Sequence, residues 1–181
     1  MTDSIDHRNH RSMWLKEYDY SQPGAYFVTT CTHDRECLFG EIAGRQMILN
    51  DAGKIVQIVW DEIRKHFDRV ESDQFVIMPN HIHGIIILNS ETVGAGSPRP
   101  NQNIGRGDRA PTLGKIVAYF KYQTTKRINE SQGTPGYKLW QRNYYEHVIR
   151  DENELQNIRH YIRYNHLKWD EDEENPDSKK V

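Results

Sequence analysis

Two histidines one residue apart, His81 and His83, open an aliphatic run that continues through Ile85, Ile86, Ile87 and Leu88. Alternate side chains of a β-strand share a face, so both imidazoles project the same way and offer one metal ion two nitrogen ligands. Far downstream, Tyr161 and Asn165 lie four apart, one above the other on a helical face. An amide oxygen added to two imidazoles leaves open positions on a divalent ion for a phosphate oxygen, a donor set suited to Mg²⁺ or Mn²⁺. A phenol one turn earlier would sit beside that phosphate as an in-line nucleophile. With an ordinary pKa of ~10, it needs a metal or another cation nearby to stabilise the phenolate.

The same residues fit plainer roles. Paired surface histidines are common and contribute little to a core, and Tyr161 and Tyr164 at helical spacing read equally well as amphipathic packing. Tyr164 has Lys168 rather than an amide four residues on, and Tyr144 and Tyr145 fall in a segment without helical periodicity. Cys31, His33 and Cys37 match no common zinc spacing.

The elements that must position these groups follow from periodicity. Residues 25–32, rich in β-branched and aromatic side chains, predict the first strand, and residues 38–40 with 46–49 an edge hairpin. Ala52, Ile55, Val56, Val59, Ile63 and Phe67 line one face of a helix. Residues 74–78 and 81–88 read as adjacent antiparallel strands joined at Pro79-Asn80. Residues 89–111, loaded with Gly, Pro, Asn and Ser, read as a long flexible loop. Thr112 caps a helix with Leu113, Ile116, Val117, Phe120 and Ile128 inward and a basic, aromatic stripe of Lys115, Tyr119, Tyr122 and Lys126 beside them. Residues 137–140 predict a last short strand. Asp151 with Glu154 starts a final helix through Trp169 on Leu155, Ile158 and Ile162. The order implies an α+β fold on an antiparallel sheet, with helices over both faces because the strand after His83 is apolar on both.

Composition narrows the class. The chain has 181 residues, 28% of them charged and 36% hydrophobic, and no apolar run approaches the ~20 residues of a membrane span. Two cysteines and an N-terminus with Asp3 and Asp6 but no apolar stretch fit a reducing cytoplasm. The net charge of −2 is unevenly spread: residues 90–169 hold thirteen Lys/Arg against seven Asp/Glu, while residues 170–181 hold six acids against Lys179 and Lys180. The second half is therefore the side expected to meet a polyanion, and residues 170–181 read as a disordered acidic tail too polar to bury anything.

Pro79-Asn80-His81-Ile82-His83, followed downstream by WQRNYYEHVIRDENELQNIRHYIRYNHLKW (residues 140–169), resembles the HUH-type single-tyrosine transposases and, among them, the REP-associated tyrosine transposases. The similarity spans roughly residues 11–169. It implies a ferredoxin-like antiparallel sheet sandwiched by helices over residues 23–169, preceded by an N-terminal arm (1–22) and followed by the acidic tail. By that resemblance His81 and His83 match the metal histidines, Tyr161 the nucleophile and Asn165 the third ligand. The implied activity is metal-dependent cleavage and joining of single-stranded DNA through a 5′-phosphotyrosine, at hairpin-forming REP-type sequences, in DNA transposition or recombination. Lys115, Tyr119, Tyr122, Lys126, Arg142 and Tyr144 are the expected DNA contacts. The protein would be cytoplasmic and nucleoid-associated when bound to DNA. Relatives in the wider family exchange the tyrosine helix between subunits, which makes a homodimer with a composite site an open alternative. Many relatives read Asn-Pro where this chain has Asn165-His166, so the helix should end differently, and His166 becomes an alternative candidate to compete as a ligand. The alternative function is a non-catalytic module that binds single-stranded nucleic acid by stacking.

Overall fold

The computed structural model describes residues 19–90 and 111–178. Six strands and three helices follow one another as β1 (Gly24–Cys31), β2 (Gly40–Ala43), β3 (Gln46–Leu49), α1 (Asp51–His66), β4 (Val70–Ile77), β5 (His81–Leu88), α2 (Leu113–Gln132), β6 (Tyr145–Ile149) and α3 (Glu152–Tyr164). A 3₁₀ segment, Asn165–Glu171, continues directly from α3. The main sheet runs β4-β5-β1-β6, every neighbour antiparallel, while β2 and β3 pair separately as the expected hairpin. Taken along the chain, its strands and the first two helices alternate as β1-α1-β4-β5-α2-β6, the ferredoxin-like arrangement.

Both faces of the sheet are covered. On one, Val28, Ile82 and Ile86 pack under α1 and α2 through Val56, Val59, Ile63, Ile116 and Phe120. On the other, Phe27, Ile85 and Ile149 pack under Ile158 and Ile162 of α3. His81 and His83 share parity with Ile85 and therefore face α3. The helix ends are set locally. Asn50, Thr112 and Asp151 cap α1, α2 and α3 by accepting from the backbone N–H three residues on, and Gly133, at φ 67°, closes α2 in the left-handed conformation. Gly84 serves packing instead: a Cβ there would lie 2.3 Å from the Trp60 ring, which stacks on Phe75 at 4.1 Å across the missing side chain.

Four expectations change. The fourth strand is residues 145–149, not 137–140. Only Trp140 of the latter forms a bridge, to Thr32, whereas Tyr145, His147 and Ile149 alternate with Glu146 and Val148 along β1. That edge strand was masked by its polar residues. The final α-helix stops at Tyr164 rather than Trp169, passing directly into a 3₁₀ segment at Asn165. The histidine pair lies inside the protein, 0% and 3% exposed, not at its surface. Residues 170–178 also bury groups: Glu174 and Asn175 are 4% and 8% exposed, because each charge or amide finds a partner. Arg35 Nε lies 2.9 Å from the Glu174 carboxylate, and Asn175 Nδ2 donates to the Trp169 carbonyl at 2.9 Å. Most of the arm and of the 89–111 loop, with Arg106, Arg109, Lys179 and Lys180, lie outside the described residues.

Candidate active site

β5 delivers both histidines to one point because its register against β1 is unbroken: His81 lies opposite Cys31 and His83 opposite Thr29. Their Nε2 atoms stand 3.1 Å apart. Each ring is fixed from behind. Asn80, fully buried, spends both N–H bonds of its amide on the carbonyls of Arg35 (3.0 Å) and Glu174 (2.6 Å). Its Oδ1 can then only accept, so the 2.9 Å contact to His81 Nδ1 places a proton on that nitrogen and a lone pair on Nε2. Thr29 Oγ1, able to donate or accept, holds the second ring through His83 Nδ1 at 2.7 Å. Two imidazole lone pairs at 3.1 Å repel unless a proton or cation lies between them. Two ligands at right angles on an ion with ~2.1 Å bonds would stand about 3 Å apart, so the pair fits a divalent cation.

α3 brings the phenol. Ile158 and Ile162 bury the helix on Phe27 and Ile85, and Tyr161, on the neighbouring stripe, points to the histidines. Its hydroxyl is 3.2 Å from His83 Nε2, and its ring meets Phe27 edge-on at 6.0 Å while Phe27 stacks on His83 at 5.4 Å. Burial, and after it the Asp172 carboxylate, push the Tyr161 phenol well above the ordinary tyrosine range, with the Asn165 amide working the other way. The phenol is therefore protonated at neutral pH, and a nucleophilic role demands positive charge nearby.

Two oxygen donors complete the surroundings. Asn165 is 3% exposed, and its Oδ1 has no hydrogen-bond partner among the described residues, a costly arrangement unless something else occupies it. Asp172 Oδ2 lies 3.8 Å from His81 Nε2, so that His81, His83 and Asp172 form a cluster able to hold a metal ion. Burial pushes the Asp172 carboxyl up to about 6, against the Glu174 N–H that donates to it at 2.8 Å. Thr29, His83, Tyr161, Asn165 and Asp172 line a cleft of about 190 Å³, with Lys168, Glu171 and Glu173 also in its wall. His166 is not in the cluster, nor are Cys31 and Cys37.

Sequence reasoning thus assembled Tyr161, His81, His83 and Asn165, which do meet, within a single chain. It missed Thr29, Asn80 and Asp172. Register alone reveals Thr29, and Asn80 lies in the turn before β5, where strand alternation gives no direction. Asp172 is indistinguishable in sequence from its acidic neighbours. The expected DNA contacts divide. Lys115, Tyr119, Tyr122 and Lys126 sit on α2, across the sheet from Tyr161. Tyr119 stacks on His66 of α1 at 4.0 Å and Lys126 lies 4.0 Å from Glu130, whereas Tyr122 is 64% exposed and shares an open groove with Arg142. Tyr144 is half-buried against the α1/α2 core, and burial raises its phenol as well.

No family model matches the chain. It is 42% identical over 173 residues to an uncharacterised protein of Haemophilus influenzae, covering 93% of each. It is 25% identical over 158 residues to a second protein of that organism, described as a candidate REP-associated tyrosine transposase, covering 83% of this chain and 74% of the other. Among solved structures, a REP-associated tyrosine transposase bound to a REP hairpin has the same fold, with a TM-score of 0.53 and 18% identity over 83% of this chain and 71% of that one. The described residues contain no helix long and apolar enough to cross a membrane. The chain thus has the fold of a REP-associated tyrosine transposase and sequence similarity to a second protein so described, and within that fold it brings a histidine pair to face a helical tyrosine.

Proposed function

We propose that the protein cuts and rejoins single-stranded DNA through a covalent bond to Tyr161, at hairpin-forming sequences like the REP hairpin bound by its structural neighbour. The observation that carries the reading is the placement of the Tyr161 hydroxyl 3.2 Å from His83 Nε2, beside a second Nε2 that Asn80 aims at the same point. His81 and His83, with Asp172 and Asn165 as oxygen donors, would hold Mg²⁺ or Mn²⁺. When bound, such an ion neutralises phosphate charge and lowers the cost of forming a phenolate.

The protein's own groups account for the rest. α3 fixes the phenol by packing Phe27 against its ring, so the oxygen is presented to the cleft with little freedom to lose. The oxygen attacks the scissile phosphorus and forms an O–P bond to the 5′-phosphate. The bond to the 3′-oxygen breaks, and the proton lost by the phenol ends on the freed 3′-hydroxyl. Attack by the 3′-hydroxyl of another strand reverses the step and restores the phenol, so no nucleotide triphosphate is consumed. Incubation with hairpin-bearing single-stranded DNA and Mg²⁺ or Mn²⁺, then a denaturing gel and mass mapping, tests the reading. The adduct should map to Tyr161. No adduct with either ion, or one on residues 144–145, would overturn it, and a binding module alone would form none.

A further inference from the structure

A second concave surface begins where the cleft ends. Thr29 and Tyr145, in the cleft wall, also border a small depression with Cys31, Gln141 and Asn143. Gln141 in turn borders an open groove of about 440 Å³ between α2 and residues 136–142. The three concavities share wall residues, so they lie side by side from Tyr161 past the end of β1. That end is held shut by backbone pairing, as Gln141 N–H donates to the Cys31 carbonyl at 3.0 Å and His33 N–H to that of Leu139 at 2.9 Å.

The chemistry of the outer groove differs from that of the cleft. Lys121, Lys138 and Arg142 line it, without any carboxylate among the lining residues, whereas the cleft wall carries Glu171, Asp172, Glu173 and Glu174. Two aromatic rings stand in it, Tyr122 at 64% exposure and Tyr137 at 37%. Tyr137 is oriented by its hydroxyl, which donates to the Glu36 carboxylate. Lys121 Nζ donates to the carbonyls of Gln141, Arg142 and Asn143 and so shapes the ridge between depression and groove. Cations to meet phosphates and flat rings to meet bases suit an unpaired strand, and the Asn129 amide in the same wall is spent on the Tyr137 carbonyl.

We propose that the groove bearing Tyr122, Tyr137, Lys138 and Arg142 carries the single-stranded DNA that flanks the Tyr161 cleft, bases stacked on the tyrosines and phosphates on the cations. The proposal rests on the function proposed above in taking DNA as the substrate of the cleft. Its test does not depend on cleavage. Fluorescein-labelled dT20 is titrated by anisotropy against the full-length wild type, Tyr122→Ala, Tyr137→Ala and the double variant Lys138→Ala/Arg142→Ala, with circular dichroism checking that each is folded.

Loss of a stacking ring should weaken dT20 roughly 5- to 100-fold. Loss of both cations should flatten the dependence of log K on log salt by about 1.4, near 0.7 for each phosphate contact. Wild-type affinity and slope in all of these variants would overturn the groove, whatever the adduct assay gives. Competition by a 20-bp duplex as effective as unlabelled dT20 would overturn its preference for unpaired DNA. If the variants lose dT20 while the wild type forms no adduct, the groove stands and the covalent reading of Tyr161 falls.

Discussion

Replacing Asn80 tests the way the site is built more sharply than replacing a ligand. Asn80→Ala removes three hydrogen bonds at once: the acceptor that fixes His81, and the donors to the carbonyls of Arg35 and Glu174. Each bond is worth about 1 kcal/mol net, and a buried carbonyl left without a donor costs about 1–3 kcal/mol unless water reaches it, so a loss of roughly 2–4 kcal/mol of stability is expected. That is a large share of the ~5–15 kcal/mol that holds a domain together, yet not all of it. Metal binding should fall roughly 10- to 100-fold, because the imidazole can turn once its Nδ1 proton has no fixed acceptor. Asn80→Asp separates the two effects. It keeps an oxygen facing His81 Nδ1 but turns an acceptor toward two carbonyls, so it should destabilise the fold while retaining more of the affinity for the ion. Urea unfolding gives the stability and Mn²⁺ titration calorimetry the affinity. If Asn80→Ala unfolds at lower urea but binds Mn²⁺ like the wild type, Asn80 holds only the chain and not the imidazole, and the positioning argument fails.

The other expectations concern single groups. Tyr161→Phe should abolish the adduct on gels while leaving dT20 affinity within about two-fold, and Tyr144→Phe, Tyr145→Phe and Tyr164→Phe should still form it. His81→Ala and His83→Ala should each eliminate Mn²⁺ binding and cleavage. His83→Ala should also lower stability by about 1–3 kcal/mol, since the ring stacks on Phe27 inside the core; full cleavage by either variant, or in excess EDTA, would remove the metal from the mechanism. Gly84→Ala drives a methyl into Trp60 and should cost about 1–3 kcal/mol by urea unfolding, while a neutral result would mean that the Trp60–Phe75 stack is free to shift.

The parts legible in the sequence are those where one side chain's role repeats with a period. The Ile85/Ile87 and Ile86/Leu88 alternation announced a strand buried on both faces, and the Leu155, Ile158 and Ile162 spacing placed Tyr161 beside a core stripe. β6 was obscured because an edge strand holds its place through backbone bonds to β1, which Tyr145, Glu146 and His147 satisfy as well as any apolar residues. The residues that tune the site were hidden for a related reason. Thr29 and Asn80 act through hydrogen bonds across register and turn, and no periodicity marks a partner chosen by three-dimensional proximity.

The C-terminal residues are where charge count and geometry pull apart. By charge alone, residues 170–181 act as a weak competitor for a basic site, and deleting them raises the net charge from −2 to +2. In the folded chain, however, the same segment supplies Asp172 to the histidine cluster and pins Glu174 to Asn80 and Arg35. Deletion would therefore mix relief of repulsion with loss of a ligand and of packing. Asp172→Asn keeps the shape and removes one charge. At ~5–8 Å in a water-like dielectric, a unit charge acts on a phosphate with about 0.5–0.8 kcal/mol, which is two- to four-fold in affinity. Metal-free dT20 binding at low salt should tighten by that factor, and the gain should fade as the Debye length falls below the separation. Mn²⁺ affinity should move the other way, because an amide is a weaker ligand than a carboxylate. Both shifts together would identify Asp172 as a group that repels DNA from the empty site and recruits the ion that attracts it. Unchanged dT20 affinity at low ionic strength, with unchanged Mn²⁺ affinity, would reduce the segment to packing.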